Sequence, residues 1–182
     1  MALFKKTCAF PPGPWDDTLA RLNISKPKKI ARCKSKSFDH GGFHVLRQNN
    51  TIAVMKYPRF RFRPSQADAL HIDLWHEGHN LLRDSGTYSY NGEQSDWFAS
   101  TSAHNTIEFD SRDQMPKLSR FLYGNWLCAH SVKTVKRLSD NIFAQAGYTD
   151  YLGAKHIRQF FLFDNKMIVQ DEISGHFSSA CL

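Results

Sequence analysis

Between Gln66 and Thr106, three short segments collect side chains that can hold a cation or move a proton. They are Gln66-Ala67-Asp68, then Asp84-Ser85-Gly86-Thr87-Tyr88-Ser89-Tyr90, then Ser102-Ala103-His104-Asn105-Thr106. A carboxylate such as Asp84 and an imidazole such as His104 are ordinary zinc ligands. The amide oxygen of Gln66 is a poorer donor, better suited to a harder cation. Tyr88 and Tyr90 lie two apart, so an extended backbone turns them the same way. A tyrosine hydroxyl near a cation can serve as general acid or base. Structural readings of the same residues stay open. An Asp just ahead of a Gly forms turns, a His before Asn-Thr can bond a backbone carbonyl, and a tyrosine can simply pack its ring.

These segments need elements to bring them together. Leu70, Ile72 and Leu74 alternate with His71, Asp73 and Trp75, the period of a half-buried strand spanning Ala69–Trp75. Further strands are expected at Phe43–Arg47, Thr51–Tyr57, Asn80–Arg83, Asn105–Phe109, Cys128–Lys136, Ile142–Tyr148, His156–Phe163 and Met167–Ile173. Polar turns separate them: Gln48-Asn49-Asn50, Ser139-Asp140-Asn141 and Asp164-Asn165-Lys166. His76 and His79 flank Gly78, which points to a turn rather than a helix presenting both imidazoles to a metal. The other histidines, His40, His44, His130, His156 and His176, stand singly and read as surface or packing residues. No long amphipathic stripe is present. The expected fold class is therefore all-β, an antiparallel β-sandwich. The stretch MIVQDEISGH ahead of the final FSSACL suggests that the sheet is incomplete at its C-terminal end.

The chain has 182 residues, enough for one domain with a real core, and 41% of them are hydrophobic. That composition argues against global disorder. A formal charge of +7 favours acidic partners: nucleic acid, an anionic membrane surface or an acidic polysaccharide. Residues 1–37 are rich in Pro and Lys, with a dense run KPKKIARCKSK at Lys26–Lys36, and read as an irregular basic lead-in. No zinc-finger spacing, RNP-type motif or recognition helix supports nucleic acid as the partner. Cys8, Cys33, Cys128 and Cys181 are too sparse for a disulfide scaffold and lack metal-ligand spacing. No apolar run is long enough to insert across a bilayer, and the start MALFKKTCAFPPGPW lacks the apolar core of a secretory signal.

Four blocks in order, GGFHVLR, QADALHIDLWHEGHNLLRDSGTYSY, STSAHNT and HIRQFFLFDNKMIVQDEISGH, together resemble the C-terminal β-sandwich domain of heparinase II/III-like polysaccharide lyases. The resemblance spans roughly Phe38 to His176 and places that domain at residues 38–182. It implies a sandwich normally joined to an N-terminal (α/α) toroid, a metal that is commonly zinc, and cleavage of uronate-containing polysaccharide by β-elimination. It also implies a periplasmic or secreted setting. Asp84 in RDSG matches the family's metal-ligand aspartate, and His104 in AHNT its metal-ligand histidine. The family's third ligand is a histidine where this chain has Gln66. A catalytic histidine two residues earlier is replaced by Pro64. Tyr90 matches the tyrosine that some members use as acid and base, with Tyr88 a candidate substrate contact beside it.

Residues 1–37 are too short to hold a toroid, so the chain reads as a piece of a longer protein or a shortened relative. Two functions are carried forward. One is the sandwich portion of a lyase acting on acidic polysaccharide, inactive as this chain alone. The other is a non-catalytic domain that binds acidic glycan or serves a structural role.

Overall fold

The computed structural model describes residues 13–26, 28 and 33–182. It divides into two units, Met1–Lys34 and Ser35–Leu182. The described part of the first contains a five-residue helix, α1 (Asp17–Arg21). Lys26 there pairs with Asp16. Cys8 and part of the basic run, Pro27 and residues 29–32, lie outside the described residues.

The second unit is built from thirteen strands. Five form one antiparallel sheet in sequential order: β1 (Lys36–Phe38), β2 (Phe43–Gln48), β3 (Thr51–Lys56), β4 (Ile72–His76) and β5 (His79–Leu82). Four form a second: β9 (His130–Arg137), β10 (Ile142–Thr149), β11 (Ala154–Leu162) and β12 (Met167–Gly175), also sequential. Two small pairs complete it, β6 (Glu108–Phe109) with β13 (Ala180–Cys181), and β7 (Lys117–Ser119) with β8 (Leu122–Tyr123). The final FSSACL is therefore tied back to the body of the domain by β13. Cys33, Cys128 and Cys181 are free and exposed. Among the described residues no helix is long and apolar enough to cross a membrane.

Alternation makes the sandwich. Leu46, Ala53, Met55 and Ile72 of the first sheet share one buried core with Ile142, Ala144, Ala146, Tyr148, Phe160 and Leu162 of the second. Burying these inner faces is the main force holding the sheets together. A polar staple crosses the same interface. The ring of His44, fully buried on β2, takes Ser37 Oγ at 2.8 Å through Nδ1 and donates from Nε2 to the Gln145 carbonyl at 3.1 Å. Ser37 Oγ in turn accepts the Val135 N–H of β9 at 2.8 Å.

The hairpins follow local chemistry. Asn49 (φ 48°) opens the two-residue turn between β2 and β3. Glu77 and Gly78 both have positive φ, 49° and 84°, and join β4 to β5. Two such residues are what a tight hairpin of matching twist requires. His76 and His79 thus face each other across that hairpin, as the turn reading anticipates.

The expected Ala69–Trp75 strand begins late, at Ile72. Leu70 has φ 66° and its N–H donates to the Lys56 carbonyl, so the chain turns before it extends. The alternation fails there, and Leu70 and His71 are both buried. Asn105–Phe109 likewise shrinks to Glu108–Phe109.

Candidate functional site

The three polar segments converge at one end of the first sheet. Residues 66–72 run beside residues 99–106, and side chains lace the two backbones together. Asn105 mimics a strand partner: its Oδ1 accepts the Ile72 N–H and its Nδ2 donates to the Ile72 carbonyl, each at 2.8 Å. Buried Gln114 does the same for Ala69, at 2.9 and 3.0 Å. Thr101 donates to the Ala67 carbonyl at 3.1 Å and Thr106 to the Ala69 carbonyl at 2.7 Å. Such paired bonds satisfy backbone groups that a regular sheet does not reach here.

On this frame the geometry brings Asp84 and His104 together, with Asp84 Oδ2 3.7 Å from His104 Nε2. His104 Nδ1 lies 2.8 Å from the Ser100 carbonyl, which only accepts, so Nδ1 carries the proton. The lone pair of Nε2 is left toward Ser85 Oγ, at 3.2 Å, and Asp84. Ligating histidines are held in this way, with the far nitrogen bonded to a carbonyl. Asp84 Oδ1 accepts the Gly86 N–H at 2.6 Å, which fixes its carboxyl group. Gly86 sits at φ 71° with nothing near its missing Cβ, so a side chain there costs backbone strain alone.

The His104 contact and the Gly86 amide outweigh partial burial and hold the Asp84 carboxyl well below the usual carboxylate range. Burial pulls His104 down, but Asp84, the Ser100 carbonyl and the charge of Asp68 together raise its imidazole above 6.5.

Gln66 lies at the same place. Its Nε2 donates to the Gly86 carbonyl at 2.8 Å, placing the amide group against the loop that carries Asp84. The structure adds a residue that the sequence reading left out of the ligand set. Asp68, Asp84 and His104 each offer an atom within 4.8 Å of the others. Asp68 is 2% exposed; Lys56 Nζ holds its Oδ2 at 2.6 Å while its buried Oδ1 has no partner. His71 Nε2 is buried without a partner as well, and its ring meets that of His104 edge-on at 5.4 Å. Orphaned buried polar atoms are rare in folded proteins. One imidazole, two carboxylates and a nearby amide form a donor set that fits a divalent cation such as zinc. The available signal for Asp68 was its position two residues after Gln66.

The tyrosines separate. Tyr88 has φ 53°, which breaks the extended run, so the two rings do not share a neighbour. Tyr88 stacks on Phe98 at 5.8 Å and is 88% exposed. Tyr90 meets Phe121 edge-on at 5.2 Å and lines a cleft with Gln66, Thr87, Lys117, Arg120 and Phe121. Tyr88 is not part of that lining. Pro64, buried, brings neither a titratable group nor a backbone N–H.

A family model described as Heparinase II/III-like, C-terminal, matches residues 31–180. The chain belongs to this family. A heparin-sulfate lyase of Bacteroides stercoris is 30% identical over 153 residues, covering 78% of this chain and 21% of the relative. A solved heparinase III structure superposes with a TM-score of 0.65 at 26% identity, over 88% of this chain and 25% of that one. The heparan sulfate lyase HepC of Pedobacter heparinus shares the fold, with a TM-score of 0.63 at 21% identity, over 88% of this chain and 25% of that one. This heparinase II/III-like domain thus spans between a fifth and a quarter of the relatives it matches.

Proposed function

We propose that the domain forms one wall of a cleft in which a longer parent protein cleaves uronate-containing acidic polysaccharide by β-elimination. The observation that carries this reading is a cleft lined by both Tyr90, 64% exposed, and Gln66, whose amide bonds the Gly86 carbonyl two residues from Asp84. In such a reaction the proton at C5 of the uronate is removed, the C4–oxygen bond breaks, and the leaving oxygen is protonated. The product is a 4,5-unsaturated uronate.

Each chain residue has a defined part. The Tyr90 hydroxyl moves the proton, as acid or base. Asp84, His104 and Asp68, with Gln66 beside them, hold zinc or a harder divalent cation. A cation there supplies fixed positive charge at the edge of the cleft. Ser100 and Gly86 keep His104 and Asp84 in ligating orientation. Neutralisation of the uronate carboxylate and the remaining proton transfer belong to the rest of the parent chain, a helical toroid in the family this chain resembles.

A second reading rests on Pro64. A proline cannot supply the imidazole that the family resemblance implies at this position, which favours a domain that binds acidic glycan without cleaving it. The test is ultraviolet absorbance of the unsaturated product on a panel of acidic glycans. The parent form is expected to release it and the 182-residue chain is not. No product from the parent on any uronate-containing glycan, with binding retained, favours the second reading.

A further inference from the structure

The cleft lined by Tyr90 and Gln66 has features that catalysis by Tyr90 does not use. It encloses about 100 Å³, several times the roughly 10–15 Å³ that admits one water by the same measure. Cations gather on one wall. Arg120, exposed, donates to Asn91 Oδ1 at 2.7 Å, a neutral acceptor, and feels the Asp96 carboxylate across the cleft without forming an ion pair with it. Arg63, outside the lining itself, lies over the Phe121 ring, 5.7 Å from its centroid. Neither arginine forms an ion pair among the described residues. Lys117 is paired at 2.5 Å with Asp96, whose side chain is 79% exposed. Phe121 has φ 66°, a left-handed conformation at the β7–β8 turn, and both it and Arg120 line the cleft.

The chemistry of this wall is specific. A planar guanidinium with free donors matches the oxygens of a sulfate or carboxylate, in pairs. The apolar floor made by Phe121 and Tyr90 strengthens that attraction relative to open water. Asp96 is a resident competitor for Lys117, and an arriving anion can take its place.

We propose that this cleft is a subsite for one anionic substituent, sulfate or carboxylate, on a glycan unit adjoining Tyr90, with Arg120 as its specificity-determining residue and Lys117 as the second cation. This rests on the acidic-glycan reading above. Its consequences differ in sign at neighbouring residues: loss of Arg120 weakens binding, and loss of the Asp96 charge strengthens it.

The test is calorimetric titration of the 182-residue chain with a sulfated uronate-containing oligosaccharide, with the same backbone lacking sulfate, and with inorganic sulfate. Arg120→Ala is expected to lower affinity for the sulfated oligosaccharide about tenfold, the size of one charge-assisted bond. Asp96→Asn is expected to raise it severalfold. Lys133→Ala, which removes the same charge from an exposed position on β9, should leave it within about twofold. A loss confined to the sulfated ligand assigns sulfate to the subsite, and an equal loss on both backbones assigns carboxylate. Equal losses in Arg120→Ala and Lys133→Ala would overturn the subsite in favour of diffuse charge attraction. Inorganic sulfate binding as tightly as the oligosaccharide would overturn it in favour of a free-anion site. A parent chain that shows no lyase activity, while Arg120→Ala still loses binding, refutes the elimination reading and leaves the subsite standing.

Discussion

Arg158, buried on β11, donates to the carbonyl of Leu70 at 2.9 Å, and the same nitrogen also bonds the carbonyl of Asn105. The second sheet thereby grips both segments that carry the site, one next to Asp68 and His71, the other next to His104. The guanidinium charge is balanced by Asp171 on β12, through bonds of 2.7 and 2.9 Å, and Asp171 also meets His156 Nε2 at 2.7 Å. Burial alone raises the Asp171 carboxyl, yet His156 and Arg158 hold it well below the ordinary range.

Removing Arg158 leaves two buried carbonyls and a largely buried carboxylate short of partners. Arg158→Met is expected to destabilise the domain by about 3–5 kcal/mol, the usual cost of breaking a buried pair from one side. Urea unfolding measures it. A loss under about 1 kcal/mol would show that the grip on Leu70 and Asn105 is not energetically important.

His44 makes the fold sensitive to acid. Burial lowers its imidazole from 6.5 to about 4, against opposing contributions from the Gln145 carbonyl and Asp39. The unfolded chain takes up a proton near pH 6.5, and the folded one only near 4. Stability therefore falls as pH drops through that window, by on the order of 3 kcal/mol for this group. Denaturant unfolding at pH 7, 5.5 and 4 should show the slope, and His44→Gln should flatten it. An unchanged slope in the variant would remove His44 as its source.

The proposed centre at Asp68, Asp84 and His104 is expected to bind zinc weakly, because an amide stands where an imidazole would hold it better. Gln66→His should tighten zinc at least about tenfold, and Asp84→Asn or His104→Ala should abolish stoichiometric binding. Affinity should also weaken as pH falls toward and below the raised value of His104, since the proton competes for Nε2. Competition against a chromophoric chelator reads all of these. An unchanged affinity in Gln66→His would separate residue 66 from the centre.

The sandwich was legible because its strands alternate and its turns carry Asn, Asp and Gly, and β9 to β12 fall close to where that pattern places them. Asp84 and His104 were legible as candidate ligands from residue type, and the family resemblance singled them out as a pair. The lacing of residues 66–72 to 99–106 was not, since Asn105, Gln114, Thr101 and Thr106 bond to backbone, which leaves no periodic trace in sequence. Nor was the burial of His71. It follows from the left-handed Leu70, a residue type that seldom adopts that conformation. The same cause parts Tyr88 from Tyr90. Arg158 and Asp171 occupy inward positions of β11 and β12, where a charge runs against the alternation, and that mismatch was the available signal.

The most direct test of the lyase reading compares a longer natural form with its Tyr90→Phe variant. Initial rates of unsaturated uronate formation are measured on a glycan that both forms bind equally. The variant is expected to lose at least about 100-fold in kcat, the lower range for a positioned acid or base, with little change in glycan affinity. Full activity in the variant would contradict the account and remove Tyr90 from the chemistry.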